Sequence, residues 1–415
     1  MGSTDTKAMQ GKGGAPQIVF TVNGPGEISG WMFPLIVALR AAIPDLRIAV
    51  CLLPCVYSTG AETSVLQRLG VDVPISVRDS LALIFRGRIP AGLDRNAPTL
   101  IFHLGGEVAL TVLLSRRLRA KLYAYAERPL PYGFAFSRVF YNGLNQLPAR
   151  IAATPEAAVG ELMVDAAQLR RDAARVAHTG RPTIGLFPGS REYMAEFLLP
   201  YYAVTVDALS VERPDIDWVM ARADFVRMEF LRNLAPLPED RTWPALPLSF
   251  HEEGDAAWLQ TPAGNRIRIL PGAQVLGLAD CALTIPGTNT GEIAASGVPM
   301  VVILPTYLGH EVPLPGLAGH VGRLPLIGKM LKLYFGYKVL HGLPLLSQPN
   351  RRAGVKIVPE LVGEGLHPAI NDALRGYLDH DTTALGTQIR DAMGKGGAAQ
   401  KLAAEVAAFF AKGQP

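Results

Sequence analysis

Short apolar runs recur along the chain, and each is followed by a glycine-rich turn and then by a helical pattern of apolar positions. This alternation is typical of parallel βα units, in which neighbouring strands pair and helices cover the sheet. In the first half the pattern predicts strands at Ile18–Val22, Arg47–Leu52 and Thr99–Leu104. In the second half it predicts strands at Thr183–Phe187, Ile216–Met220, Ile267–Leu270, Cys281–Ile285 and Met300–Leu304. The predicted fold class is therefore α/β, with two series of parallel strands.

The two βα series predict two main domains. The basic, alanine-rich stretch Leu169–Gly180 separates the series, and a Gly394–Gly397 break interrupts the last helical stretch. The predicted boundaries are 1–16 for a disordered leader or tag, 17–175 for the first domain, 176–383 for the second domain and 384–415 for C-terminal helices. A bend at the glycine break lets these helices cross back toward the first domain.

Composition excludes several classes of protein. Hydrophobic residues make up 49% of the 415 positions and charged residues 18%, which is typical of a globular protein. The net charge of +4 comes from 40 basic and 36 acidic residues, a balance that does not predict a nucleic-acid partner. The three cysteines include no C-x-x-C pair, so neither a disulfide framework nor a cysteine-based zinc site is indicated. No stretch reaches the roughly 18–20 uninterrupted apolar residues of a membrane span.

The first predicted strand runs into a turn of small residues, Asn23-Gly24-Pro25-Gly26-Glu27-Ile28-Ser29-Gly30. Small residues at the carboxyl end of a strand let a ligand approach the backbone, so Gly26, Glu27 and Ser29 are candidate ligand contacts. The spacing does not fit G-x-G-x-x-G, and a dinucleotide fingerprint is not supported. The alternative is a plain tight turn between a strand and a helix.

A second turn, Phe187-Pro188-Gly189-Ser190-Arg191-Glu192, lies between a predicted strand and the helical run Met194–Ala203. The exposed N–H groups of a helix N-terminus favour negative charge, and a serine and an arginine add donors. Gly189, Ser190 and Arg191 therefore predict a diphosphate site, and a capped helix start is the alternative.

A third turn, Pro286-Gly287-Thr288-Asn289-Thr290-Gly291-Glu292, again joins a strand to a helix. Thr288, Asn289 and Thr290 are cap-type residues, and simple capping explains one of them but not all three. Glu292 can accept two hydrogen bonds from vicinal ribose hydroxyls. The second and third turns together predict a site for a nucleoside diphosphate.

Five motifs, in this order, resemble the lipid-A-disaccharide synthase family, whose members are GT-B glycosyltransferases. Each motif is weak alone, and the five in order are specific and extend over most of the chain. The matching segments are Gly26–Gly30 (G-E-x-S-G), Val159–Ala166 (V-G-H-P-x-x-D-A), Leu186–Arg191 (L-L-P-G-S-R), Pro286–Val302 (S-G-T-x-x-L-E and P-M-V-V) and Gln348–Leu361 (L-P-N-L-x-A-G and x-P-E-L-L).

The resemblance implies the GT-B fold, with two Rossmann-like domains whose parallel sheets face a central cleft. It implies an inverting transfer of an N-acetylglucosamine-type sugar from a UDP-sugar, held mainly by the second domain, to a lipid-linked acceptor. By the resemblance Arg191 neutralises the leaving diphosphate, Thr288, Glu292 and Asn350 bind the nucleotide, and no metal or other cofactor is expected. The turn residues Gly26, Glu27, Ser29, Gly189, Ser190, Gly287, Asn289 and Thr290 complete the predicted nucleotide-sugar site.

An inverting transfer needs a base for the acceptor hydroxyl. The family places a catalytic Asp after the third strand of the first domain, where this chain has Gly105-Gly106-Glu107. Glu107 is therefore the predicted base, with the two glycines leaving room for a sugar, and Glu27 and Glu127 come next. The alternative is that Glu107 only caps the helix that begins at Val108.

The chain departs from the family pattern in the first domain. Trp31 follows Ser29-Gly30 where family members usually have Asp, Glu107 replaces an Asp, and Tyr123–Pro129 replaces an S-V-W-A-W stretch. The acceptor is therefore open. The alternatives are a UDP-N-acetylglucosamine 2-epimerase, a polyprenyl-linked-sugar transferase, or a catalytically degenerate homologue that binds nucleotide or lipid.

An insertion at 304–346 contains the aromatic and basic stretch Leu324–Leu346, with Lys329, Lys332 and Lys338. Such a segment suits an anionic membrane surface, where lysines extend to the head groups and the apolar face dips among acyl chains. This interpretation predicts a cytoplasmic protein, peripheral on the inner face of the cytoplasmic membrane. The alternative is a helix pair packed in the core or in a homodimer interface. The basic pair Arg170-Arg171 is expected to lie on a solvated helix edge.

Overall fold

A computed structural model describes residues 14–55, 61–142, 158–173, 179–307 and 345–412. Most of the predicted leader, and the part of the predicted membrane-facing insertion from 308 to 344, lie outside the described residues. The lysines Lys329, Lys332 and Lys338 are among them.

The first domain is built on a six-stranded, fully parallel sheet with the strand order β3-β2-β1-β4-β5-β6. Every residue of the central strands β1 and β4 is buried, as expected for strands covered on both faces. The strands are β1 (Gln17–Val22), β2 (Arg47–Leu52), β3 (Val73–Ile75), β4 (Thr99–His103), β5 (Lys121–Ala126) and β6 (Arg138–Tyr141).

The helices of the first domain connect successive parallel strands. They are α1 (Pro25–Glu27), α2 (Phe33–Ala42), α3 (Glu62–Arg68), α4 (Val77–Arg86) and α5 (Val108–Leu118). A π-helical turn, Ile28–Met32, joins α1 to α2, so the predicted first turn is the wide opening of a helix and not a plain tight turn. Widened helical turns of this kind are frequent at functional sites.

The second domain is built on an eight-stranded sheet with the order β14-β13-β12-β7-β8-β11-β10-β9. Six strands run parallel, and β9 and β10 extend the sheet as an antiparallel ladder on β11. The strands are β7 (Thr183–Phe187), β8 (Asp217–Arg222), β9 (Ser249–Glu253), β10 (Ala256–Gln260), β11 (Arg266–Pro271), β12 (Cys281–Thr284), β13 (Met300–Pro305) and β14 (Glu360–Gly363). All five predicted strands of this half are present.

The remaining helices cover the second sheet or join the domains. They are α6 (Leu162–Ala173), α7 (Glu192–Glu212), α8 (Met228–Arg232), α9 (Gly272–Leu278), α10 (Thr288–Ala295), α11 (Gln348–Ala353), α12 (His367–Asp379), α13 (Thr383–Ala392) and α14 (Ala398–Ala411). The long helix α7 begins directly after the predicted diphosphate turn, and α10 begins inside the third turn.

Two segments connect the domains. Helix α6 places Leu162 in the core of the first domain and Met163 in the core of the second. Helix α13 packs Ile389 into the core of the second domain, whereas α14 packs Leu402 into the core of the first. Only α14 crosses back, and the crossing lies between 393 and 397, at the glycine break where the sequence predicts a bend.

A capping interaction fixes this crossing. Asp165 on α6 accepts hydrogen bonds from the backbone N–H groups of Gly397 and Ala399 at the start of α14. A carboxylate at a helix N-terminus satisfies unpaired N–H groups and interacts favourably with the helix dipole. The sequence motif that contains Asp165 thus holds the two connecting segments together.

Candidate nucleotide-sugar site

The three turns meet at one cavity of about 150 Å³ between the domains. The turns lie at the carboxyl ends of β1, β7 and β12, the sheet edge at which α/β proteins bind ligands. The cavity is lined by Gly26, Ser29, Arg170, Ser190, Arg222, Ala223, Asp224, Phe225, Pro271, Gly272, Ala273, Thr288, Asn289 and Glu292. Six of these residues belong to the site predicted from the sequence.

In the third turn the N-cap residue of α10 is Gly287, whose φ of 146° favours glycine. None of the three cap-type side chains therefore occupies the cap position. Thr288 and Asn289 line the cavity, whereas Thr290 is buried, donates to the Gly287 carbonyl at 2.7 Å and accepts from the Gln348 N–H at 3.0 Å. Thr290 thus stabilises the turn through buried hydrogen bonds and does not line the cavity.

In the second turn Gly189 has a φ of 96°, and Ser190 lines the cavity. Arg191 is the N-cap residue of α7 and makes no capping bond through its side chain. The next residue, Glu192, is engaged by Arg227, with its Oε1 2.8 Å from Nε. A capped helix start therefore does not account for Ser190 and Arg191.

Asn350 has a different position from the one the sequence suggested. It is fully buried, and its Nδ2 donates to the Val358 carbonyl and to Glu360 Oε1, each at 2.8 Å. Its Oδ1 accepts from the N–H groups of Ile357 and Val358. Because these four bonds use its amide fully, Asn350 shapes the loop around α11, and a direct nucleotide contact is not part of this arrangement.

Glu27 lies in the first turn, packed against Gly105, and is not among the residues that line the cavity. A Cβ at Gly105 would lie 2.8 Å from Glu27 Cγ, and a Cβ at Gly106 would lie 2.8 Å from Leu53 Cδ1. The two glycines therefore let the ends of β1, β2 and β4 pack closely, and they do not leave the expected space for a sugar. Burial raises the pKa of Glu27, while the positive charge of Arg191 opposes the rise and Glu127 adds to it.

Glu127 lies at the carboxyl end of β5, within electrostatic reach of Glu27. Burial raises its pKa, Glu161 raises it further, and Arg352 opposes the rise. By contrast, Glu107 is exposed at the N-cap of α5 and makes no capping bond through its side chain. Glu107 thus occupies the N-cap position without a capping hydrogen bond from its side chain, and it lies at the surface.

Several lining residues escaped the sequence analysis. Arg222 ends β8 and Asp224 follows it, while Gly272 and Ala273 follow β11, so all four lie at the same sheet edge as the predicted turns. Their position after predicted strands was the available signal, but neither turn carries a recognisable motif. Arg170, which the sequence predicts on a solvated edge, lines the cavity and pairs with Glu292.

Two further features are absent from the described part of the chain. No helix there is both long and apolar enough to cross a membrane. In the same residues, no group of three or more His, Cys, Asp or Glu side chains is arranged to hold a metal ion.

Two sheets of parallel strands that present their carboxyl edges to a shared cleft, with a last helix that returns to the first domain, define the GT-B class of fold. Within that class, parts of the chain are similar to lipid-A-disaccharide synthases. The synthase of Gluconobacter oxydans is 30% identical over 190 residues, which are 45% of this chain and 34% of that protein. The synthase of Geobacter sulfurreducens is 26% identical over 242 residues, which are 56% of this chain and 50% of that protein.

The matches thus span half or less of these relatives' length. No protein-family model matches the sequence. Among solved structures, a Listeria monocytogenes protein proposed to be a UDP-N-acetylglucosamine 2-epimerase has a TM-score of 0.53, with 96% of this chain and 98% of that chain covered at 15% identity. This likeness concerns the fold, and it confirms the predicted GT-B architecture.

Proposed function

We propose that this chain is a GT-B glycosyltransferase that moves an N-acetylglucosamine-type sugar from a UDP-sugar to a lipid-linked acceptor, with inversion. The observation that carries the proposal is the convergence of three turns from both domains on one cavity. The similarity to lipid-A-disaccharide synthases supports the same conclusion.

The second domain would hold the nucleotide. The N-termini of α7 and α10 offer backbone N–H groups to a diphosphate, and Ser190 and Thr288 add side-chain donors at the cavity. Arg191 adds a positive charge at the N-cap of α7. Positive charge and oriented N–H groups can stabilise the leaving UDP without a metal ion. The proposal therefore includes no metal or other cofactor.

The first domain would supply the base for the acceptor hydroxyl. Glu27 fits this role better than Glu107, because Glu27 is partly buried beside Arg191 whereas Glu107 faces solvent. A raised pKa also makes a carboxylate a stronger base near neutral pH. We therefore assign proton removal to Glu27.

The acceptor is proposed to be a lipid at the cytoplasmic membrane surface, with the protein bound peripherally. This part rests on the lipid named in the relatives' activity and on the basic, aromatic sequence of 324–346. A homodimer remains a prediction.

One observation favours a second candidate. Glu27 and Glu127 are two carboxyl groups with raised pKa values within electrostatic reach of each other, and such a pair can remove and return a proton at carbon. A UDP-N-acetylglucosamine 2-epimerase would use this chemistry and would need no acceptor.

The test is incubation of the protein with UDP-sugars, with and without total membrane lipid. Release of UDP that depends on lipid supports the transferase, and conversion of the UDP-sugar to its epimer without lipid supports the epimerase. Calorimetry with UDP tests the site itself. Arg191→Ala removes a charge-assisted contact and should weaken UDP binding at least about tenfold; unchanged affinity in a folded variant contradicts the site.

A further inference from the structure

Helix α6 carries two adjacent arginines in opposite environments. Arg171 is exposed, whereas the side chain of Arg170 is only 18% exposed and lines the cavity between the domains. The guanidinium of Arg170 also lies over the ring of Phe33, 5.3 Å from its centroid. Arg170 is therefore packed into a fixed place, which a solvated helix edge does not explain.

The two terminal nitrogens of Arg170 bind different domains. Nη1 donates to Glu292 Oε1 at 2.6 Å, on helix α10 of the second domain. Nη2 donates to the carbonyl oxygen of Ser29 at 2.9 Å, in the first turn of the first domain. One planar group on the connecting helix thus links both walls of the cavity.

Glu292 lines the same cavity, and its side chain is 19% exposed. Its bond to Arg170 uses Oε1, and the described residues place no hydrogen bond on Oε2. A carboxylate accepts through both oxygens, so Oε2 is left to accept from a ligand.

We propose that Arg170 is a positioning residue for nucleotide recognition. It holds Glu292 so that Oε2 receives the ribose hydroxyls, and it ties that carboxylate to the first-domain turn through Ser29. The inference rests on the proposed UDP-sugar site and adds to it a residue outside the three turns.

Two physical effects support this role. Because the guanidinium of Arg170 is itself fixed by two hydrogen bonds, the carboxylate of Glu292 keeps one orientation before the ligand binds. Less conformational freedom is therefore lost on binding. The positive charge also offsets the negative charge of Glu292, which would otherwise repel a diphosphate in the same small cavity. Without Arg170 both effects are lost together.

The test compares UDP with 2′-deoxy-UDP by calorimetry on four full-length proteins: the parent, Arg170→Gln, Arg170→Lys and the matched control Arg171→Gln. The parent and the control should bind UDP more tightly than the deoxy analogue. Arg170→Gln should weaken UDP binding at least about tenfold and reduce the preference for UDP. Arg170→Lys keeps the positive charge but not the two terminal nitrogens of the guanidinium, and its affinity for UDP should lie between those of the parent and Arg170→Gln.

The outcomes separate the inference from the proposed function. A parent protein that does not bind UDP overturns the proposed function. A parent that prefers UDP, with Arg170→Gln indistinguishable from Arg171→Gln, overturns only the role of Arg170. Equal losses for UDP and its deoxy analogue in Arg170→Gln also overturn it, because a merely structural arginine would not change the ratio.

A second variant covers the case in which Arg170→Gln does not fold. Glu292→Gln keeps the size of the side chain, and it should remove the preference for UDP if Oε2 reads the ribose. In a Glu292→Gln background, Arg170→Lys should then cause no further loss of UDP affinity. A further loss would show that Arg170 acts through another group.

Discussion

Gly26 in the first domain lies directly against Thr288 in the second, so that a Cβ at position 26 would be 2.7 Å from Thr288 Oγ1 and 3.1 Å from its Cγ2. Real Cβ atoms essentially never approach another atom to 2.7 Å, and a rotation of the Thr288 side chain would exchange the Oγ1 contact for a contact with Cγ2. Glycine is thus required here by the meeting of the two domains, since α1 has an ordinary helical backbone that alanine can adopt.

Gly26→Ala is therefore expected to keep the domains from closing on the nucleotide and to weaken UDP binding at least about tenfold, as measured by calorimetry. Gly376→Ala is the matched control, because no atom lies near its added methyl group. Adding Thr288→Ala removes the clashing atoms, so the double variant should bind no worse than Thr288→Ala alone. Additive losses would contradict the steric explanation.

A buried ion pair at the domain junction predicts a stability effect. The side chain of Arg352 on α11 is 5% exposed, and its Nη2 lies 2.6 Å from Oε2 of Glu161, whose side chain is 1% exposed. Tyr125 and Asn142 also donate to Glu161. Removing one partner of a buried pair leaves an uncompensated charge, so Arg352→Met should destabilise the protein by about 3–5 kcal/mol.

Thermal unfolding measures this effect, with Arg351→Met as the control because Arg351 is exposed on the same helix. The double variant Glu161→Gln/Arg352→Met removes both charges and should recover part of the stability that Arg352→Met loses. If Arg352→Met and Arg351→Met unfold at the same temperature, the pair does not stabilise the junction.

The sequence predicted the central strands and the three turns because they carry strong local signals. The strands β1, β4, β7 and β12 are mainly apolar and buried at every position, and each of the three turns begins where such a strand ends. Strand β3 has only three residues and β9 is largely exposed, so neither stands out from a loop by hydrophobicity.

The arrangement of charges could not be predicted from local pattern. Arg170 and Arg171 are identical neighbours, and only the position of α6 between the domains buries one of them. Asn350 sits in a motif typical of a ligand site, but its amide is used by Ile357, Val358 and Glu360 after the chain turns back. Such roles depend on partners brought in by tertiary structure.

His103 at the end of β4 predicts how stability depends on pH. Burial lowers its pKa to about 4, and its Nδ1 lies within hydrogen-bond distance of the hydroxyls of Thr21 and Thr111. The unfolded chain has an ordinary histidine pKa near 6.5. Between these values the unfolded state binds the extra proton, so stability falls as pH drops from about 6.5 to 4, by about 3 kcal/mol in total.

His103→Gln removes this titration and keeps a hydrogen-bonding side chain. The melting temperature of the parent should therefore fall more steeply between pH 6.5 and 4 than that of the variant, whatever their difference at pH 7.5. His367, which is also buried with a lowered pKa, contributes equally to both proteins. Parallel curves would mean that His103 is not held neutral by the fold.

The assignment of the base to Glu27 is tested against Glu107 by two variants of the same kind, Glu27→Gln and Glu107→Gln. Each keeps the size of the side chain and removes its basicity. Glu27→Gln should slow sugar transfer by about 10²–10⁴ while UDP binding in the second domain is kept, and Glu107→Gln should stay near the parental rate. The acid limb of the pH profile of kcat/KM should lie above the ordinary glutamate range, because the pKa of Glu27 is raised by burial.

Two results would contradict this assignment. If Glu107→Gln slows transfer and Glu27→Gln does not, Glu107 is the base. If Glu27→Gln loses UDP affinity, Glu27 supports the closed cleft through Gly105 and Arg191 instead of removing the proton.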